Sequence, residues 1–558
     1  MLLYQKYANI IIEEKLVLCY ILAMKISDEI VLLYKKIEQI YKHKELLLQE
    51  ENLVEVEEIA SHFSALYEKL RNTVDFKEVH LLRRFAIERN IKRRFIMEVL
   101  KPNIARILIE DLVRSRYFSN KSIPEYKIAQ VEKIIEKYND LFLLMNDMYH
   151  GDDIKDYFNW LIAVEACEID VLLHPEDIDD AVIEAMYQIT KPRIKLKGDD
   201  DLSIREKNIQ LYIAIHKSLV KSDDTIISYH LLNLYYDKWL SADSDTIKIM
   251  ATHLPEIYRN IQRHLRHPYQ MRILSSIKEP VVTFKILHEL ILTHGIEIKE
   301  LLANPDMLES EAKLLINKKY RTIRNRISKA SVRAIVYIFI TKALLALLLE
   351  FPYEKYVLQE LNYTNLGINV LFPPLLMFLV TLTIRPLGRH NTDLIMERLH
   401  NLIYDKPEQS ILCKLKTKYN KNLGYQVFYY FMYTVLYIVV FGAIIYLLNY
   451  LHFNILSGAI FLFFLTAVSF FAIRIRSTAK ELNVENKSEG LLVFFLNFFS
   501  LPVISAGRWM SERFKSINVF AFVMDYIIEA PFKLFVSAFE DWLGFMKEKK
   551  EEVFHNDE

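Results

Sequence analysis

Four runs of almost unbroken apolar residues constrain this chain more than anything else in it. They cover 332–349, 366–384, 427–451 and 455–473. Each approaches the roughly 20 residues a helix needs to cross a hydrocarbon layer about 30 Å thick. In lipid, backbone polar groups are satisfied only inside a helix or a closed barrel, so runs of this length predict membrane-spanning helices.

Local charge orients these spans. The stretch 318–333 carries seven Lys and Arg residues and no acid, whereas the connection after the first run carries Glu350, Glu354 and Glu360 against Lys355 alone. The segment 385–421 is basic again, with eight Lys and Arg against four acids, and Arg474, Arg476 and Lys480 follow the fourth run. Basic flanks stay in the cytoplasm, so the pattern predicts a multi-pass protein of the cell (plasma or inner) membrane with both termini cytoplasmic. Globally, 71 Lys and Arg balance 71 Asp and Glu, so net charge gives no reason to expect a nucleic-acid partner.

Ahead of the spans the pattern is that of amphipathic helices. Ile30, Leu33, Ile37 and Ile40 recur at three and four, and His174-Pro175-Glu176-Asp177 opens a helix with proline and acids in its first turn. Only Gly151, Gly198 and Gly295 occur before residue 367, which excludes the glycine-rich loops that cradle phosphates. No fixed repeat period is present. The expectation is an all-α chain: a large helical cytoplasmic region, then a polytopic α-helical membrane domain.

Its parts are expected as an N-terminal helical region at 1–145, a helical segment and linker at 146–200, and a second helical cytoplasmic region at 201–317. The membrane domain follows at 318–490, then re-entrant or interfacial helices at 491–545 and a charged tail at 546–558. Within 491–545, the run 491–506 is short with basic flanks on both sides. In 517–545, Asp525, Glu529, Lys533, Ser537 and Asp541 recur every four residues, a polar stripe suited to an interfacial helix and a candidate pathway lining if inserted.

Lys342, inside the first run, is the candidate intramembrane functional residue, because a lysine at mid-membrane costs about 2.5–3.5 kcal/mol and is usually kept for a reason. The functional reading is an ion or substrate contact, or a pair with a carboxylate such as Asp525 or Glu529; the ordinary reading is a lysine that snorkels, or a span whose register shifts it toward one interface. If the spans serve only as an anchor, Lys342→Met is expected to leave folding intact. Pro373-Pro374 bends the second run.

Elsewhere the ordinary readings are preferred. The basic run Arg83 to Arg94 is read as a helix face paired with acids, and the cluster around His264 and His267 as a membrane contact. His288-Glu289 with His294 lacks zinc spacing, and Cys167, between Glu165 and Glu168, is read as packing rather than a nucleophile. No cofactor, metal or catalytic constellation is expected, and the chain is not read as an enzyme. The leading expectation is a membrane-anchored interaction or scaffold protein that meets the bilayer through its spans and a protein partner or second copy through its cytoplasmic helices. The alternative is a channel or transporter with a regulatory cytoplasmic domain.

Overall fold

The computed structural model describes residues 26–47, 52–74, 81–96, 103–404 apart from 152, 176, 198–201, 237, 360–361 and 385–386, then 411–414, 423–485, 491–515, and 535, 538, 539, 542–546 and 549. It is an all-α protein with four helices long and apolar enough to cross a membrane. One two-stranded sheet, Ile194–Lys197 with Ile411–Lys414, is the only sheet among the described residues. The chain divides into two compact units: 31–194 with 202–277 and 518–558, and 1–30 with 195–201 and 278–517.

In the first of these units everything is organised around helix Asp153–Leu173. Its residues from Trp160 to Asp170 are all buried, so the helix is covered by neighbours on every side. Helices Leu82–Ile96, Tyr126–Met148, Asp224–Tyr235 and Ser244–Leu265 supply that surround. Residues on both sides of 146–200 cover this helix, in one continuous core. Residues 278–317 fall in the same unit as the membrane helices.

Helix starts follow local chemistry. Ser203 caps Ile204–Leu219 in a reciprocal capping box with Glu206, and Asp223 and Asp243 accept the amides of Ile226 and Thr246 at the next two helix starts. The basic run is consumed by acids: Arg83 pairs with Asp170, Arg84 with Glu88 and Asp223, Arg89 with Glu68, and Lys92 with Glu88. His264 is buried, its Nε2 2.8 Å from the Tyr235 hydroxyl, so it does not belong to an exposed basic cluster. Cys167 is buried, and burial pushes its thiol well above the ordinary range, as expected of a packing residue.

In the second unit the membrane helices are Pro305–Leu358, Tyr363–Leu382, Val427–Tyr450 and Ile455–Ala479. The first begins on Pro305, with Asn304 as its cap, and runs unbroken through the basic stretch into the apolar one. At the basic end of the spans, helix Arg389–Ile403 packs on Lys278–His294, with Arg398 to Glu279 at 2.7 Å. There Asn391 donates to the Tyr320 hydroxyl at 2.7 Å and to the Leu482 carbonyl at 2.9 Å, and accepts from the Val484 amide at 2.9 Å.

The run expected to be re-entrant or interfacial, 491–506, is part of one continuous helix, Leu491–Lys515, that passes through Pro502 and packs on the third and fourth membrane helices. Gly507 makes this approach: a Cβ there would stand 2.1 Å from the Thr466 carbonyl oxygen and 2.8 Å from Phe470 Cβ. Gly507→Leu is therefore expected to push the helix off its neighbour, at the roughly 1–3 kcal/mol typical of overpacking. Thermal unfolding in detergent, variant against wild type, measures that loss.

Candidate functional site

The buried face of the first membrane helix runs through Ser331, Ala334, Ile338, Lys342, Ala346, Glu350 and Glu354. From Ile338 onward the step is four residues. In a regular α-helix four residues overshoot one turn by about 40°, so a stripe of fours drifts off the face. Here the helix widens to π-helical turns at Ala346–Glu350 and Tyr353–Leu358, which hold Glu350 and Glu354 in line with Lys342. Of the acids expected in an outer loop, Glu350 and Glu354 are therefore helical and buried, at 0% and 3% exposure, and Glu360 lies outside the described residues. A charged group in apolar surroundings is tolerated where partners meet it, and these acids have them.

Lys342 Nζ donates to Glu350 Oε1 at 2.8 Å, with both side chains fully buried. The ammonium also lies 5.0 Å from the ring centre of Phe464. The second oxygen of Glu350 accepts from Asn369 Nδ2 at 2.6 Å, and the same amide donates to the Ser457 carbonyl at 3.2 Å. Three membrane helices are tied together by one chain of contacts.

Glu354 extends the network to the helix starts. It accepts from Asn454 Nδ2 at 2.7 Å, from Ser457 Oγ at 3.4 Å and from the Asn362 amide at 3.4 Å. Asn362 caps the second membrane helix and Asn454 the fourth. Asn365 Nδ2 adds a bond to the His452 carbonyl at 2.8 Å, closing the turn between the third and fourth helices. The connections at this end of the bundle are thus clamped by side-chain amides and one carboxylate.

Asn365, Asn369, Pro373 and Met377 form the facing stripe on the second membrane helix, and all are buried. Pro373 has no amide hydrogen, so the Asn369 carbonyl lacks its usual helical donor. Asn369 Oδ1 also has no hydrogen-bond partner. This position is the polar soft spot of an otherwise satisfied network.

Of the residues singled out from sequence, Lys342 is in this network, and its partner among the described residues is Glu350. Asp525, Glu529, Lys533 and Asp541 lie outside the described residues. Glu350, Glu354, Asn365, Asn369, Asn454 and Ser457 were not anticipated. The spacing of Lys342, Ala346, Glu350 and Glu354 was the available signal, legible only if the helix is continued past the apolar run. No protein-family model, no curated protein and no solved structure matches this chain.

Proposed function

We propose that this chain is a membrane-anchored interaction protein, in which four spans tether a helical cytoplasmic region to the membrane for a protein partner. The observation that carries this reading is the buried charge network: Lys342, Glu350 and Asn369 are each 0% exposed, Lys342 pairs with Glu350 within the first membrane helix, and Glu350 bonds to Asn369 across to the second. A bundle whose buried charge closes on itself is suited to hold a shape. Interhelical hydrogen bonds of this kind contribute about 0.6–2 kcal/mol each to helix association in a membrane.

On this reading the basic flanks, including 318–333, face the cytoplasm, both termini are cytoplasmic, and the membrane is the cell (plasma or inner) membrane. The cytoplasmic helices meet the partner, or a second copy of the chain. A channel or transporter is the second reading, favoured by the π-helical turns and Pro373-Pro374, since broken helices in membranes often flank substrate sites.

Extraction from the native membrane in mild detergent, with mass measurement of the intact complex and chemical crosslinking, separates the two. A stoichiometric protein partner crosslinked to residues in 31–277 is the expected result. A partner-free complex whose reconstituted vesicles conduct or accumulate a solute would replace the anchor reading with transport.

A further inference from the structure

Helix Asp153–Leu173 carries three buried acids, Glu165, Glu168 and Asp170. Two have cations: Asp170 pairs with Arg83, and Glu168 takes Lys137 Nζ at 2.5 Å and the Tyr138 hydroxyl at 3.0 Å. Lys137 is further committed to the Trp239 carbonyl at 3.1 Å. Glu165 is different. It is 1% exposed, its Oε2 has no hydrogen-bond partner, and no cation pairs with it among the described residues.

Glu165 also lines a cavity of about 730 Å³ whose walls include Ile91, Leu108, Phe142 and Phe158. That volume is in the range of small-molecule sites, which are mostly apolar with a few placed polar groups. Apolar packing alone does not account for a carboxyl here, because burying an unpaired polar group is costly. Together, Glu165 and Glu168 are two carboxyls facing one committed ammonium.

We infer that this cavity is a binding site for a small organic amine, with an aromatic or alicyclic body against the Phe142 and Phe158 walls and a protonated nitrogen on Glu165. An ammonium on Glu165 favours its ionised form, and the charge-assisted hydrogen bond it then makes in this buried setting is stronger than the neutral one an alcohol could make. An organic acid of the same shape would instead bring a third carboxylate to the base.

The test uses the full chain in lipid nanodiscs and three probes sharing one ring system: 2-(1-naphthyl)ethylamine, 2-(1-naphthyl)ethanol and 1-naphthylacetate. Equilibrium dialysis against protein-free nanodiscs removes membrane partitioning from each value. One saturable site per chain is expected, with the amine bound at least tenfold more tightly than the alcohol. Glu165→Gln, nearly identical in shape, should abolish that preference and leave the alcohol unchanged. Leu143→Trp, at an exposed position on the rim, should weaken amine and alcohol alike without touching the core. Absence of saturable binding overturns the proposal, as does an amine preference that survives Glu165→Gln or a site that takes the acid most tightly.

Discussion

Lys342→Met lowers the stability of the membrane bundle by about 3–5 kcal/mol, the cost of breaking a buried ion pair from one side. The loss arises on the other partner: Glu350, at 0% exposure, keeps only Asn369 Nδ2 at 2.6 Å and has no ammonium beside it. Replacing both charges, as Lys342→Met with Glu350→Gln, returns most of that stability. The side-chain amide introduced by Glu350→Gln can still accept from Asn369, and no bare carboxylate remains. A double-mutant cycle on thermal unfolding in detergent measures this, with a coupling toward the top of the roughly 0.5–3 kcal/mol seen between contacting residues. The expectation from sequence, that an anchor tolerates Lys342→Met, is therefore reversed: the anchor reading now requires the single variant to be damaged and the double variant to be nearly sound.

Glu165→Gln stabilises the helical unit around helix Asp153–Leu173, and the gain grows with pH. Burial, reinforced by Glu168 and opposed by Lys137, raises the Glu165 carboxyl well above the usual value. An acid with a raised native value favours the folded state fully below its unfolded value of about 4.3 and loses that contribution as pH rises through the native value. Glutamine does not titrate. The difference in melting temperature between variant and wild type should vanish below about pH 4 and widen above it, at no more than about 1.4 kcal/mol per pH unit from this single group. A difference independent of pH would mean that the Glu165 carboxyl is not shifted on folding, and one that turns against glutamine as pH rises would mean that it has a counterion in solution.

The four membrane helices were legible because the apolar runs are long and continuous. Lys342 stood out as a lone charge in an apolar run. Its partners did not, for a physical reason: hydropathy falls at Glu350 and Glu354 whether the chain leaves the membrane or turns those acids inward. The distinction rests on contacts with Asn369 and with Asn454, which are 19 and 100 residues away respectively. Likewise, Arg83 to Lys92 read as a paired face, but which acids pair with it depends on bringing Asp170 and Asp223 to the same helix. Glu165 looked like one more acid beside Cys167, and only the location of Lys137 and Tyr138 on Glu168 marks it as the odd one.

If the spans are a locked anchor, the charge-free double variant, Lys342→Met with Glu350→Gln, should behave as the wild type does when both are purified from the native membrane. The folded double variant is predicted to retain the same partner at the same stoichiometry. A double variant that is folded and present at normal level, yet has lost a solute flux that the wild type supports, would contradict the anchor and make Lys342 and Glu350 parts of a transport site.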